Sequence, residues 1–182
     1  MNKAWAVKQF ANGYVSNRVL KLNVGFLLAD GPGHSHETAF DVPAVRVAED
    51  VDLAYVRGSV RLSRTKEGIL VQGQLDLGVE EDCLRCLDPV SCNVPIQLEE
   101  LYSFPPSHKV EFSIGDDAIL DLAALIRAET MIAVAGGVLC TPDCKGLCPE
   151  CGANLNHTTC HCAENAVDPR MAKLKELLDA KK

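Results

Sequence analysis

Six of the nine cysteines in this 182-residue chain fall between Cys140 and Cys162, in the string CTPDCKGLCPECGANLNHTTCHC. A segment of about 40 residues so poor in large apolar side chains cannot bury enough surface to fold unaided, whereas metal ligation contributes on the order of 10 kcal/mol or more. The spacings favour ligation. Three residues separate Cys140 from Cys144 and Cys144 from Cys148, two separate Cys148 from Cys151, and one separates Cys160 from Cys162. Four thiolates can therefore meet around one ion.

Zinc takes four soft or borderline ligands in a closed tetrahedron, and the Cys148-Pro149-Glu150-Cys151-Gly152 turn aims two sulfurs at one point. The second pair is either Cys160 with Cys162 downstream or Cys140 with Cys144 upstream, and spacing leaves both open. The downstream set, Cys148, Cys151, Cys160 and Cys162, closes a loop through Ala153 to His157 like a small zinc ribbon and is the one favoured here. His157 and His161 are further candidate ligands. An iron-sulfur cluster is the alternative cofactor, since all-thiolate sites suit either. The three-then-two spacing of Cys144, Cys148 and Cys151 also matches radical enzymes that bind S-adenosylmethionine, but only 31 residues follow Cys151, too few for the barrel such chemistry needs.

A disulfide framework would require an oxidising compartment. The N-terminal MNKAWAVKQFANGYV is interrupted by Lys8, Gln9 and Asn12 and does not read as an export signal. The most apolar stretch, Met131 to Leu139, is nine residues long against the roughly 20 needed to cross a bilayer. The expectation is a soluble cytoplasmic protein with reduced thiols and no membrane partner.

Charge is uneven. Residues 1–139 hold 12 basic and 19 acidic side chains, while 140–182 hold six of each. An acidic body is a poor nonspecific ligand for phosphate backbones. The local exception is Arg57, Arg61, Arg64 and Lys66, which could form an RNA-contacting ridge or simply decorate a solvated strand. The division expected is a β-rich domain over 1–139 with one packed helix, and a Cys-rich metal-binding segment with a C-terminal helix over 140–182.

Val15 to Leu28 alternates like a strand and leads into a Gly/Pro/His loop, ADGPGHSHE, whose His34 and His36 are read as solvated. From Phe40 the pattern is β throughout. Ile69, Val71, Gly73, Leu75 and Leu77 share one face, and Lys66-Glu67-Gly68 makes a hairpin turn. Cys83-Leu84-Arg85-Cys86-Leu87 is a second close thiol pair. With Pro89 and a strand after it rather than a helix, it is a metal half-site or a packed pair before it is a redox centre. Cys92 is read as core. AILDLAALIRAETMIAV is an amphipathic helix capped by Asp116 or Asp117 and ended by Gly136 and Gly137, and Asp168-Pro169-Arg170 opens a second helix. The fold class is α+β: an antiparallel β-meander or partly open β-barrel with two helices and a C-terminal zinc-ribbon-like segment.

CLRCL after a β-rich stretch, Asp121-Leu122 at a helix start, CKGLCPECGANLN, a late Cys-x-Cys and DPRMAKLKELL together resemble the YceD-type large ribosomal RNA subunit accumulation proteins of bacteria and plastids, over roughly residues 56–178. The resemblance implies a ribosome biogenesis factor supporting synthesis, processing or accumulation of 23S rRNA. It would bind that RNA or ribosomal proteins. Arg57, Arg61, Arg64, Arg85, Lys145, Asn154, Asn156 and Arg170 are the candidate contacts. The other function class is a thiol-redox or iron-sulfur enzyme using Cys83 and Cys86 or the 140–162 cluster. No Ser-His-Asp set, phosphate loop or paired-carboxylate motif is present. No catalysis and no small-molecule substrate are expected.

Overall fold

Alternation of apolar and polar residues dictates long strands, and the computed structural model, which describes residues 15–107, 110–162 and Met171, carries four of them in succession. They are β3 (Ser35–Ala48), β4 (Val51–Arg64), β5 (Gly68–Asp82) and β6 (Pro89–Ser103). With the short β1 (Val15–Ser16) they make a five-stranded sheet in the order β1-β3-β4-β5-β6. The meander is as expected. The sheet does not close into a barrel, because β1 and β6 stand at opposite edges. Among the described residues the fold is α+β, mostly sheet, with two helices.

One face of this sheet is the core. Val60, Leu62, Ile69, Val71, Leu75, Leu77 and Leu98 are buried together with Leu120, Leu122, Leu125 and Ile126. Each such side chain contributes about 1.5–3 kcal/mol on burial. Between Leu53 and Tyr55 the register of β4 on β5 shifts. That irregularity lets Leu53 and Val56, which strict alternation would send to opposite faces, both be buried. Pro43 is tolerated inside β3 because β1 pairs only with Val45 and Arg46, leaving the strand's outer edge open at position 43.

Two local expectations are corrected. Val15 to Leu28 is not one strand. After β1 come a 3₁₀ turn (Asn17–Leu20), β2 (Lys21–Asn23) and the short α1 (Gly25–Asp30). Ser16 Oγ accepts from the Arg18 amide at 3.4 Å and Asn23 Oδ1 from the Gly25 amide at 3.0 Å, and such local bonds divert the backbone from an extended path. The later helix also starts further on than its apolar spacing indicates. Ile119–Asp121 forms β7, antiparallel to β2, and α2 spans Ala123–Val134. Its first turn is served by Asp121, whose Oδ1 accepts from the Ala123 amide at 2.9 Å, while Asp117 accepts from Ile119 at 3.2 Å. Gly137, at φ 72°, bonds back to the Val134 carbonyl and ends the helix. The helix expected from Asp168 lies outside the described residues.

The chain divides into two compact units. The first comprises residues up to 81 together with 91–138, and the second is assembled from 82–90 and the chain from 139 onward. The loop between β5 and β6 thus belongs with the cysteine-rich segment.

Candidate metal centres

Two turns of the second unit have the same backbone design. In Cys148-Pro149-Glu150-Cys151-Gly152 the Gly152 amide donates to the Cys148 carbonyl at 2.9 Å with Gly152 at φ 71°. In Cys83-Leu84-Arg85-Cys86-Leu87 the Leu87 amide donates to the Cys83 carbonyl, also at 2.9 Å, with Leu87 at φ 61°. The first turn sits at the tip of a small hairpin held by Cys148 N to Ala153 O and Leu155 N to Gly146 O.

The cysteines gather in two sets of four, with the sulfurs of each set all within 4.8 Å of one another. One set is Cys148, Cys151, Cys160 and Cys162; the other is Cys83, Cys86, Cys140 and Cys144. Cys140 and Cys144, the alternative partners for Cys148 and Cys151, therefore lie with the CLRC turn. Cys92 belongs to neither; half-buried against the main core, its thiol faces the Val79 carbonyl at 3.7 Å. His34, near the Gly31 carbonyl, and His36, edge-on to Phe26, stand apart from both sets.

In the second set Cys83 Sγ and Cys144 Sγ are 3.8 Å apart, and Cys86 Sγ and Cys140 Sγ 3.6 Å. Four sulfurs at about 2.3 Å from one zinc ion lie about 3.8 Å from each other in a regular tetrahedron. Each set can hold a metal ion with this donor chemistry. A cubane cluster gives each iron its own thiolate and so drives the sulfurs apart, unlike a single ion.

The thiols split within each set. Burial pushes Cys83 up, but the amides of Cys140, Arg85 and Cys86 outweigh it and hold the thiol at about 6. Cys144 is lowered first by the side-chain amide of Asn156. Burial raises Cys86, and the neighbouring Cys144 sulfur raises Cys140. In the downstream set the amides of Cys151 and Glu150 lower Cys148 to about 7, while the Cys151 sulfur raises Cys162 to about 12 and the Cys148 sulfur raises Cys160. Crowded thiols cannot all ionise side by side; a dication among them removes that conflict.

Around the sulfurs is a tight polar shell. Cys140 N donates to Cys83 Sγ at 3.3 Å and Asn156 Nδ2 to Cys144 Sγ at 3.2 Å. Asp88 accepts from Asn154 Nδ2 at 3.0 Å on both oxygens, lies 3.0 Å from His157 Nε2, and receives the Cys86 thiol at 3.3 Å. Those partners, Asn154 first, hold its carboxyl below the usual carboxylate range. Arg85 Nη1 donates to the Cys144 carbonyl at 3.0 Å and its own carbonyl accepts from Leu147 N at 2.9 Å. Gly146 is favoured there by its φ of 75°, and a Cβ would sit a tight 3.0 Å from the Arg85 carbonyl oxygen.

The other candidate contacts are placed as follows. Asn154 and Asn156 are engaged within this shell, with Asn156 Oδ1 also accepting from the Lys145 amide at 2.8 Å. Arg57 and Arg61 lie on β4 beside Asp41 and Glu37 at 3.1 and 3.9 Å, and Arg64 bonds the turn carbonyls of Thr65 and Gly68. Arg170 lies outside the described residues. Asp88, Gly146 and Leu87 carried no signal of their own in the sequence. The repeated Cys-x-x-Cys spacing is the signal that could have related the CLRC turn, read only as a metal half-site or packed pair, to the later one.

No solved structure matches the chain. An uncharacterized protein of Mycobacterium tuberculosis is 36% identical over 125 residues, 65% of this chain and 60% of that protein. One of Mycobacterium leprae is 33% identical over 125 residues, 65% of this chain and 57% of its own length. This chain thus spans about three fifths of the mycobacterial relatives it matches. A protein of Arabidopsis thaliana named large ribosomal RNA subunit accumulation protein YCED homolog 1, chloroplastic, is 30% identical over 82 residues, 45% of this chain and 23% of the plant protein. The family model described as large ribosomal RNA subunit accumulation protein YceD matches residues 71–178, a span that takes in both cysteine sets, and the chain belongs to that family.

Proposed function

We propose that this protein is a non-enzymatic ribosome biogenesis factor that supports accumulation of large-subunit rRNA, working in the cytoplasm. Family membership over residues 71–178 carries the proposal. The plant relative is named for the same role. Zinc held by Cys148, Cys151, Cys160 and Cys162 in a ribbon-like hairpin would be structural, fixing the surface that meets the partner. The pairing of Arg57 with Asp41 and of Arg61 with Glu37 leaves little free positive charge on that strand for phosphates. Together with a net charge of −7, this favours a basic ribosomal protein over naked RNA as the direct partner.

The test is the ratio of large- to small-subunit rRNA in cells depleted of the protein, with and without a wild-type or Cys151→Ser copy. The expected result is a fall in the ratio that the wild-type copy restores and the variant does not. An unchanged ratio on depletion would sink the proposal. Affinity capture of the full chain, scored for ribosomal proteins and sequenced for RNA, separates the two kinds of partner.

A further inference from the structure

We propose that Cys83, Cys86, Cys140 and Cys144 form a second metal centre for a single thiophilic dication such as zinc, and that Asn156 tunes its affinity. Three observations converge on it. The four sulfurs come from two stretches of chain, with Cys140 54 positions beyond Cys86, yet the cross-stretch sulfur pairs lie at 3.6 and 3.8 Å, the edge lengths of a tetrahedral thiolate site. Three of the four are buried, and the fourth, Cys140, is half-buried and packs against them with Val90, so most of the sulfur shell is withdrawn from water, as in structural sites. Amide donors already point at the sulfurs, from Cys140 N to Cys83 and from Asn156 Nδ2 to Cys144.

A dithiol redox centre fits less well, because Cys83 and Cys86 each have a facing sulfur from the later stretch. On binding, each sulfur that is still protonated releases its proton to solvent as it takes the ion. Four thiolates and a dication leave two negative charges, which the amide donors stabilise.

Asn156 lies in the loop between Cys151 and Cys160 of the other set, so the loop closed by one centre supplies an outer hydrogen bond to the other. Outer partners of this kind are worth roughly 10–100-fold in metal affinity. Asn156 is thus a positioning residue whose loss weakens one ion and spares the second.

The experiment is a cobalt(II) titration of the full reduced chain, followed by the d–d and thiolate charge-transfer absorption, with affinities taken by competition against a chromophoric chelator. The wild type is expected to saturate at two equivalents with tetrathiolate bands throughout. Cys86→Ser should lose one equivalent of that signal, and Cys92→Ser should keep both. Asn156→Asp keeps the acceptor for the Lys145 amide but removes the donor to Cys144, and should weaken one equivalent by about 10–100-fold. Saturation of the wild type at one equivalent overturns the second centre. Two equal, unaltered affinities in Asn156→Asp overturn the role of Asn156. Should Cys86→Ser fail to fold, the wild-type and Asn156→Asp titrations still decide. Neither result bears on the rRNA phenotype, which is scored separately in cells.

Discussion

At position 87 a leucine adopts the backbone conformation that a glycine adopts at 152. A left-handed conformation costs an L-residue roughly 1–2 kcal/mol, and glycine gives back about 0.5–1 kcal/mol of that in lost unfolded-state freedom. Leu87 is 61% exposed, so little burial is forfeited by replacing it. Leu87→Gly should therefore raise the stability of the metal-loaded protein by up to about 1 kcal/mol. Gly152→Ala should lower it by about 1 kcal/mol for the same conformational reason, there being nothing within 4 Å for the added methyl to touch. Thermal unfolding of the two loaded variants beside wild type checks both signs. That leucine also explains why the CLRC turn is hard to recognise in the amino-acid string. The later turn announces itself with Cys-Gly, whereas the earlier one hides the same geometry behind a residue that pays for it in strain.

Strand pairing makes its own demands. Gly73 on β5 lies so close to β4 that a Cβ would fall 2.3 Å from the Ser59 carbonyl oxygen, and backbone cannot swing aside as a side chain can. Gly73→Ala should cost about 2 kcal/mol or more, read as a lower urea midpoint at unchanged slope. Arg127 on α2 reaches Asp50 in the β3–β4 turn, with its Nε at 2.9 and 3.1 Å from the two carboxylate oxygens. That bond, against a smaller opposing effect of desolvation, holds the Asp50 carboxyl below its usual range. A depressed folded-state pKa stabilises above the unfolded value, about 3.9, and the benefit fades as pH falls through the folded value. Asp50→Asn should thus be slightly less stable than wild type at neutral pH and equal to it in strong acid, measured as urea midpoints against pH. Period-two alternation made β4 to β6, and β3 from Phe40 onward, legible from residue types alone, while the start of β3 at Ser35 was hidden in what reads as a Gly/Pro/His loop. β2, β7 and the delayed start of α2 were not, because a three-residue strand leaves no period to read and Asp121 serves the helix only once β7 is in place.

Across the whole chain, the two units depend on different forces. The first rests on the apolar face of its sheet, whereas the second has only a small cluster of Cys83, Cys86, Cys144 and Val90 beside two cysteine sets that can hold a metal. Removal of metal with a strong chelator should abolish hydrogen-exchange protection at the amides of Leu87, Leu147, Cys148 and Leu155, while those of Val60 and Leu75 stay protected. Loss of protection in both groups together would show that the units do not fold separately. The composition of the cysteine sets is where sequence reasoning stops. Spacing fixes which cysteines form pairs, but which pair meets which depends on the path of more than fifty intervening residues, most of them in a sheet and helix that contribute no ligand.

That discontinuity has a consequence during synthesis. Cys83 and Cys86 leave the ribosome 57 and 54 residues before Cys140, about 3 to 11 seconds at common elongation rates. For that interval the early pair is a bare vicinal dithiol on a nascent chain, open to oxidants and to copper. A newborn copy is therefore most vulnerable to poisoning before its last quarter has been translated.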